Sequence, residues 1–305
     1  MALMPAADVD ITEDLVRRLL AAQAPALAAE PLELAANGWD NAVYRLGSTR
    51  AVRLPRREAA AELVLREQRW LPGYARRSPV PVPAPVYAGR PDAGYPWHWS
   101  VIPWLEGTSA TQVSPEKRTP AAEQLAAFLT AIHVPAPAAA PVNPVRGVPL
   151  ASRSAAVLER LEDTHGYPEA ARLRSLWAAA LEAPPHSGPA VWFHGDLHPA
   201  NVLLRDSPDG PAALAAVIDF GDLGAGDPAV DLAVAWLMFD GAGRRRLMAA
   251  YSAAGSGQRG GWERGGWERA RGWALVLATA MLSNSDDNPV MLETGRFAVR
   301  QLLRP

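Results

Sequence analysis

The chain has 305 residues, of which 49% are apolar and 20% charged, and its net charge is −2. This composition is ordinary for a globular protein with one large domain or two lobes, and the charge gives no indication of a nucleic-acid partner. Cysteine is absent, which excludes disulfides and thiolate metal sites. The sequence has no signal-peptide pattern and no run of about 18 apolar residues, so we expect a cytoplasmic protein without a membrane partner.

The first hundred residues predict a small lobe rich in β-strands. Apolar residues at helical spacing predict a helix over 11–24, capped by Thr12 or Asp10. A second helix, over 58–71, is expected to end at Pro72-Gly73. Strands are predicted at 32–35, 42–46, 51–54, 82–88 and 97–102.

Beyond the crossover Pro103–Gly107 the pattern becomes mostly helical. Residues 134–149 are rich in Pro and Ala and are expected to be irregular. Gly260–Arg264 is nearly repeated by Gly265–Arg269, which we interpret as a local duplication. Helices are predicted at 116–133, 153–163, 169–183, 230–239, 243–253, 262–283 and 290–303.

Two neighbouring segments carry the side chains that point to chemistry. Val191–Leu204 reads as an apolar strand, a polar turn and a second apolar strand, and Ile218–Gly221 ends a further strand in Asp-Phe-Gly. The turn holds Asp196 and Asn201, and the later strand delivers Asp219. One carboxylate can orient an incoming hydroxyl and accept its proton, while a carboxamide and a second carboxylate hold the Mg²⁺ that bridges nucleotide phosphates. The pattern therefore predicts Mg²⁺-dependent phosphoryl transfer from a nucleotide.

These segments resemble those of the aminoglycoside phosphotransferase family, a branch of the protein-kinase-like fold. Five further strings match family landmarks in the expected order: Gly38–Asn41, Val52–Pro55, Arg66–Pro72, Trp104–Gly107 and Gly226–Ala233. The resemblance implies an α+β, bilobal protein-kinase-like fold. Its small β-rich N-lobe, residues 1–102, would bind the nucleotide. Its larger helical C-lobe, residues 103–305, would carry the catalytic loop and bind the acceptor.

The resemblance implies a catalytic base at Asp196 and metal ligands at Asn201 and Asp219. The alternatives are a turn Asp, an Asn that closes the turn and an Asp at a strand end. His194 matches a scaffold position, where hydrogen bonding within the catalytic loop is favoured over proton transfer.

Two further residues match positions that support the catalytic loop. His198 either approaches the phosphates or faces solvent. Asp231 is expected to accept hydrogen bonds from the catalytic loop or to cap its own helix.

The nucleotide site departs from the usual kinase pattern, in which a strand Lys pairs with a helix Glu. Of the 30 basic residues, 29 are Arg, and the single Lys, Lys117, lies beyond the crossover. Arg53 takes the matching strand position and Glu67 the helix position, although both are also compatible with a solvated surface.

Two further segments complete the predicted nucleotide site. The loop containing Gly38, Asp40 and Asn41 is expected to cover the phosphates, and Trp104 and Leu105 are expected to face the purine through backbone groups. The sequence leaves ATP and GTP open as donors.

The acceptor is the least specified part of the prediction. Aminoglycosides are polycations, and Asp286, Asp287 and Glu293 are the acidic candidates to bind one, with a solvated acidic loop as the alternative. The 11 Trp residues are expected mostly in the core, though some could line a pocket for an apolar scaffold.

The expected function is Mg²⁺-dependent transfer of the γ-phosphate of ATP or GTP to a hydroxyl of an aminoglycoside-like or other antibiotic. A metabolic kinase acting on a sugar, an amino alcohol or homoserine is one alternative, and a nucleotide-binding pseudokinase is the other.

Overall fold

The structure, a computed structural model, describes residues 6–92, 94–163, 167–207, 210–255 and 265–304. The chain divides into two units. The N-terminal unit is Leu3–Glu106 together with Asp219–Gly221, and the C-terminal unit contains Gly107–Ile218 and Asp222–Pro305. One unit is built on a β-sheet and the other is mainly helical, so the α+β prediction is confirmed. Within the described residues, no helix has the length and apolarity needed to cross a bilayer.

The N-terminal unit is a five-stranded antiparallel sheet with two helices. The sheet order is β1-β2-β3-β5-β4. Thr12 caps the first helix, as expected, because its side chain accepts a hydrogen bond from the amide of Leu15 at 3.2 Å. The elements are α1 Glu13–Gln23, β1 Leu32–Asn37, β2 Asn41–Leu46, β3 Arg50–Pro55, α2 Glu58–Arg77, β4 Tyr87–Gly89 and β5 Trp99–Pro103.

The two faces of this sheet have different roles. Side chains such as Tyr44 and Val52 join the core that also includes the buried face of α1. Arg53 is one residue further along β3 and therefore lies on the opposite face, together with its cross-strand partners Val43 and Ser100. The alternation of β3 thus places a cation on the face away from the core.

Helix α2 is longer than predicted, because Pro72 does not end it. The helix continues to Arg77 with Pro72 inside. A Pro inside a helix removes one backbone hydrogen bond. That loss is offset by burial of Leu71 and Tyr74 on either side, and the Tyr74 ring meets Phe220 edge-on with centroids 5.5 Å apart.

The strand predicted over 82–88 is also shorter than expected. Regular pairing in this part of the chain begins only at Tyr87. Pro81, Pro83 and Pro85 have no amide hydrogen to donate to a neighbouring strand, which keeps this stretch out of the sheet.

The C-terminal unit is mainly helical and carries two small sheets, ordered β6-β8-β9 and β10-β7. Its strands are β6 Thr108–Ser109, β7 Val191–Phe193, β8 Val202–Ser207, β9 Gly210–Val217 and β10 Gly224–Gly226. Its helices are α3 Pro115–Arg118, α4 Ala122–Ile132, α5 Ser154–Arg160, α6 Ala170–Leu181, α7 Ala229–Leu232, α8 Val234–Leu237, α9 Gly241–Gly255, α10 Gly266–Asn284 and α11 Pro289–Leu302.

Most helices of this unit lie close to their predicted ranges. The helix predicted over 116–133 is divided into α3 and α4 by a 3₁₀ turn around Pro120. Residues 134–149 contain no helix and only an isolated bridge, as expected for a Pro-rich segment. The first copy of the near-repeat and the predicted start of the helix at 262 lie outside the described residues.

Candidate active site

The catalytic loop connects β7 to β8 within the C-terminal unit. Gly195 adopts φ +91°, and a Cβ there would lie 2.3 Å from the carbonyl oxygen of Asp222. Both the backbone conformation and the close approach require glycine, which explains the Gly in His-Gly-Asp.

Asp231 holds this loop through hydrogen bonds to its backbone. Its carboxylate accepts hydrogen bonds from the backbone amides of His194 at 2.7 Å and Gly195 at 2.8 Å, and it is fully buried. His133 reaches the same carboxylate through Nε2 at 3.0 Å, and its Nδ1 lies 2.8 Å from the hydroxyl of Tyr251. Sequence reasoning found Asp231 but missed the two residues behind it, which come from different helices and share no motif.

His194 is engaged through both ring nitrogens. Its Nδ1 accepts a hydrogen bond from the amide of Asp196 at 3.2 Å, so Nε2 carries the hydrogen and donates to the carbonyl of Ile218 at 2.9 Å. The ring is fully buried. These contacts support the scaffold role that the resemblance implied, and they fix the residue that directly precedes Asp219.

Asp196 projects from the loop with a side chain that is 29% exposed. Arg146 Nη2 lies 3.1 Å from one carboxylate oxygen, and His198 Nε2 lies 3.3 Å from the other. Burial alone would raise the pKa of Asp196, but the contact and hydrogen bond with His198, the charge of Arg146 and the nearby His194 outweigh it and hold the pKa well below its usual range. The carboxylate is therefore ionised at neutral pH.

His198 is buried, so the alternative in which it faces solvent is wrong. Its Nδ1 accepts a hydrogen bond from the amide of Ala200 at 3.3 Å, which caps the short 3₁₀ turn Pro199–Asn201. With Nδ1 accepting, Nε2 carries the hydrogen that faces Asp196.

Arg146 was missed by sequence reasoning, and it lies in the irregular segment between α4 and α5. Asn143 Oδ1 accepts from the backbone amides of Val145 and Arg146, each at 3.0 Å, and its Nδ2 donates to Asp222. Gly147 adopts φ +63°, and a Cβ there would lie 2.2 Å from the ring of Phe193. The only local signal was an Asn, an Arg and a Gly within a Pro-rich stretch. This pattern predicts a turn but does not predict which residue the Arg side chain contacts.

Asn201 closes the loop with its carboxamide in a defined orientation. Its Nδ2 donates to the carbonyl of Asp196 at 2.9 Å, and its backbone carbonyl accepts from the amide of Ile218 at 3.0 Å. The carboxamide oxygen accepts no hydrogen bond from the residues that the structure describes. It is available to a cation or another donor.

In the N-terminal unit, Arg53 contacts its predicted partner Glu67 and also Asp219, a contact that was not predicted. Its Nη1 lies 2.6 and 2.7 Å from the two carboxylate oxygens of Glu67, and its Nη2 lies 3.3 Å from Asp219. Burial would lower the pKa of Arg53, but Glu67 and Asp219 more than offset it, and the guanidinium stays charged. Arg53 and Glu67 are buried, which excludes the solvated-surface alternative for both.

Asp219 is a strained residue with an accessible carboxylate. It has φ +62°, the only positive φ among the described residues other than glycine, and its side chain is 56% exposed. Such a conformation costs about 1–3 kcal/mol and is kept where the surroundings hold it.

The loop between β1 and β2 is tied down by the start of α2. Arg56 Nη1 donates to the carbonyl of Gly38 at 2.8 Å, and Arg57 forms an ion pair with Asp40. With its carboxamide oxygen turned toward the strand, Asn41 accepts from Arg53 Nε at 3.2 Å. The loop predicted to cover phosphates is thus connected to the buried cation.

At the crossover, the backbone amides differ in availability. The amide of Trp104 donates to the carbonyl of Thr49 at 2.8 Å, so it is already used by the protein. The amide of Leu105 has no hydrogen-bond acceptor among the described residues. Arg45 lies over the Trp104 ring at 4.7 Å from its centroid and holds the segment in place.

Taken unit by unit, the two predicted metal ligands carry the oxygen chemistry of a Mg²⁺ ligand. Among the described residues, Asn201 of the C-terminal unit and Asp219 of the N-terminal unit each have a side-chain oxygen without a hydrogen-bond donor, and Mg²⁺ needs few protein ligands because it keeps several waters. Over the described ranges, no group of three or more His, Cys, Asp or Glu residues has the arrangement of a metal cage. The oxygen chemistry favours Mg²⁺ over a transition metal.

The acidic residues proposed for the acceptor lie at the turn between α10 and α11. Asp286 and Asp287 are exposed in that turn. Glu293 lies on α11 and pairs with Arg300 at 2.6 Å, with both side chains more than half exposed. A role for these residues in acceptor binding stays a prediction.

A family description matches residues 31–273 and names the phosphotransferase enzyme family. The chain belongs to this family. The recognition made from the catalytic-loop motif is confirmed, as is the prediction of an enzyme that transfers phosphoryl groups. No curated protein matches the phosphotransferase chain significantly.

Solved structures confirm the kinase-like fold of the phosphotransferase. The GDP complex of wild-type aminoglycoside 2'-phosphotransferase-IIIa is 20% identical, with a TM-score of 0.66, 96% of this chain and 99% of that chain being covered. Macrolide 2'-phosphotransferase MphH from Brachybacterium faecium is 23% identical, with a TM-score of 0.59 and coverage of 96% and 99%. The streptomycin and ATP ternary complex of APH(2")-IIa is 16% identical, with a TM-score of 0.58 and coverage of 94% and 95%.

Proposed function

We propose that this phosphotransferase moves the γ-phosphoryl group of ATP or GTP to a hydroxyl of a small molecule in a Mg²⁺-dependent reaction. The observation that carries the proposal is the buried pair of Arg53 and Glu67, whose guanidinium also reaches Asp219. A buried ion pair contributes little net stability, because desolvation offsets the attraction. A cation with one exposed and one buried carboxylate partner is better explained by a phosphate ligand that shares it.

Arg53 supplies the positive charge that the usual strand Lys supplies for the phosphates, but its guanidinium has a different geometry. Its Nη1 is committed to Glu67, while Nη2 has only the longer 3.3 Å contact with Asp219. We expect Nη2 to turn to the α- and β-phosphates when nucleotide binds, leaving the bond to Glu67 intact. The fork of the guanidinium allows both contacts at once.

Asp196 is the group that would orient the acceptor. Its carboxylate is ionised, held by Arg146 and His198, and still 29% exposed. Phosphoryl transfer requires little proton abstraction early on, so positioning the hydroxyl in line with the phosphate is the main contribution.

Asn201 and Asp219 are the residues that would hold Mg²⁺. The carboxamide of Asn201 is oriented by the hydrogen bond that its Nδ2 donates to the carbonyl of Asp196, and Asp219, with φ +62°, lies 3.3 Å from Arg53 Nη2. When bound, the ion neutralises charge on the transferred phosphate.

The amide of Leu105 is the donor proposed for the purine edge, because that of Trp104 is bonded to Thr49. The GDP and ATP complexes of the similar structures support a nucleoside triphosphate donor without choosing between the two purines. Backbone recognition at one amide is compatible with either.

An antibiotic-like acceptor is proposed from the similar structures, which include complexes with kanamycin, gentamicin and streptomycin and a macrolide 2'-phosphotransferase. A metabolic kinase and a nucleotide-binding pseudokinase remain the alternatives that the test must separate.

The test is nucleoside diphosphate release with ATP or GTP and Mg²⁺ across a panel of aminoglycosides, macrolides, sugars, amino alcohols and homoserine. The matched variant is Asp196→Asn, which we expect to reduce transfer by about 10²–10⁴-fold while nucleotide affinity is retained. Asp14→Asn, an exposed change in the first turn of α1, is the control.

Each outcome of this test supports or excludes one of the candidate functions or residue roles. Turnover only with a primary metabolite would establish the metabolic kinase. Nucleotide binding without release of diphosphate for any acceptor would establish the pseudokinase, and a near wild-type rate in Asp196→Asn would remove that residue from the mechanism.

A further inference from the structure

The catalytic carboxylate has an internal cationic partner that the phosphoryl-transfer proposal does not require. Arg146 donates to Asp196 at 3.1 Å, and its Nε lies 3.8 Å from Asp222. Its side chain is only 19% exposed, so the guanidinium is fixed beside the carboxylate.

The position of Arg146 is built into the backbone. Asn143 is buried and bonds both the amide of Arg146 and the Asp222 carboxylate, while Gly147 allows the segment to pass directly against Phe193. These contacts fix the backbone that carries Arg146, and its side chain is then held by Asp196.

Further positive charge lies behind Arg146. Arg153 ends a 3₁₀ turn and Arg160 ends α5 seven residues later, about two helical turns away, so the two project from similar sides of the segment. Burial lowers the pKa of Arg160, and the charges of Arg153 and Arg146 lower it further, whereas Tyr167 and Glu159 oppose this.

Each of these three arginines has a buried nitrogen without a hydrogen-bond acceptor within the part of the chain that the structure describes. They are Nε of Arg146, Nε of Arg153 and Nη1 of Arg160. The hydrogen-bonding capacity of these guanidinium groups is therefore not filled by the acidic groups near them, which are Asp196 and Asp222 at Arg146 and Glu159 at Arg160.

We propose that Arg146 makes the acceptor site select a hydroxyl compound whose reacting face carries no ammonium group. An isolated catalytic carboxylate would attract an amine next to the hydroxyl, whereas the fixed guanidinium of Arg146, with Arg153 and Arg160 near it, outweighs that attraction. The inference rests on the proposed function, since it assumes that the acceptor hydroxyl approaches Asp196.

Distances set the size of the effect. A hydroxyl bonded to Asp196 places an amine on the adjacent carbon within about 9 Å of the guanidinium, inside the Debye length of about 10 Å at 0.1 M salt. Removing one charge at that distance is expected to change relative affinity by about tenfold.

The first experiment compares acceptors that differ only in charge. Acceptor-dependent phosphate transfer is measured for an amine and its N-acetylated form, using kanamycin, glucosamine and ethanolamine as the scaffolds. We expect wild type to favour the acetylated member of a pair, and Arg146→Gln to shift the kcat/KM ratio toward the amine by about tenfold. Arg146→Lys keeps the charge and should keep the wild-type preference.

The control is Arg172→Gln, which removes the same charge from an exposed site on α6 and should leave the ratio unchanged. Amine preference in wild type, or an unchanged ratio in Arg146→Gln, would overturn the inference. Absence of transfer to every acceptor would instead count against the proposed function.

A binding measurement decides the inference even without turnover. Spermidine, a polyamine with no hydroxyl, is titrated calorimetrically into wild type, Arg146→Gln and Arg172→Gln. The inference requires binding to Arg146→Gln about tenfold tighter than to wild type. Equal titration curves for wild type and Arg146→Gln, including no binding to either, would overturn it.

Discussion

Arg53 shows how an arginine in place of the usual lysine changes the contacts within a nucleotide site. A lysine has a single ammonium, whereas the guanidinium binds both oxygens of Glu67 and still reaches Asp219. Arg53→Lys should therefore lose one of these contacts, because a point charge cannot serve both carboxylates at these distances.

For Arg53→Lys we expect the KM for nucleotide to rise by about tenfold with a smaller change in kcat, since the lost interaction forms on nucleotide binding. Steady-state kinetics with varied nucleotide would measure both constants. Arg50→Lys on the same strand, which affects an exposed pair with Glu30, is the matched control. An unchanged KM in Arg53→Lys would separate this residue from phosphate binding.

The pKa of Asp196 leads to a prediction about stability at low pH. The pKa is lowered in the folded protein, so ionised Asp196 contributes stability above the unfolded-state pKa of about 3.9, and that contribution is lost as the pH falls through the lower folded pKa. The free-energy difference between wild type and Asp196→Asn should be full at pH 6 and should shrink below about pH 4. Urea unfolding of both proteins at several pH values would measure it, and a difference that grows on acidification would contradict the shift.

At the scale of elements, one buried carboxylate holds the catalytic loop. Asp231 accepts two loop amides and a contact from His133, and it has no exposed surface. Asp231→Asn replaces one acceptor oxygen by a donor facing other donors. We expect a loss of about 2–4 kcal/mol of unfolding free energy.

Denaturant unfolding would measure that loss. Asp240→Asn is the comparison, because Asp240 also accepts two backbone amides but is only half-buried where it caps α9. A smaller loss in Asp231→Asn than in Asp240→Asn would show that the catalytic loop does not depend on this anchor.

The sequence predicts most elements because their patterns are local. The alternation in β2 and β3 and the periodicity of α1 specify a strand or helix within a few residues. The end of α2 was predicted wrongly, because burial of Tyr74 against Phe220, distant in the chain, outweighs the local effect of Pro72.

The residues of the candidate site also fall into two groups, those that the sequence predicts and those that it does not. Asp196, Asn201 and Asp219 stand in a recognisable motif, so their types and spacing were readable. Arg146 lies 50 residues before Asp196 in an irregular segment, and His133 lies 98 residues before Asp231. Contacts over such separations depend on the folded chain and leave no local pattern.

At the scale of the whole molecule, ligand binding should be visible as stability. A ligand that binds only the folded state at 100 times its Kd adds about 2.7 kcal/mol. Nucleotide with Mg²⁺ should raise the Tm more than nucleotide with EDTA. Asp219→Ala should lose the Mg²⁺-dependent part, because its exposed carboxylate is a proposed ligand.

Thermal unfolding with nucleotide and Mg²⁺ and with nucleotide and EDTA would measure this effect, with Asp92→Ala as a control elsewhere in the N-terminal unit. An Asp219→Ala protein with the full Mg²⁺-dependent increase in Tm would remove the metal role.

Three residues, Asp219–Gly221, belong to the N-terminal unit although they follow β9 in the chain. The order of the sequence does not predict this assignment. The experiment on Asp219 therefore tests whether a residue of the N-terminal unit is a metal ligand.

The guanidinium on β3 also affects how this protein can be labelled. Reactive nucleotide derivatives that acylate an amine beside the bound phosphates need a lysine there, and this chain offers a permanently protonated Arg53 instead. Lys117, the single lysine side chain, is exposed on α3. Chemical surveys that detect kinases by tagging that amine would pass over this protein, whereas amine-directed dyes could mark Lys117 and leave the proposed phosphate contact untouched.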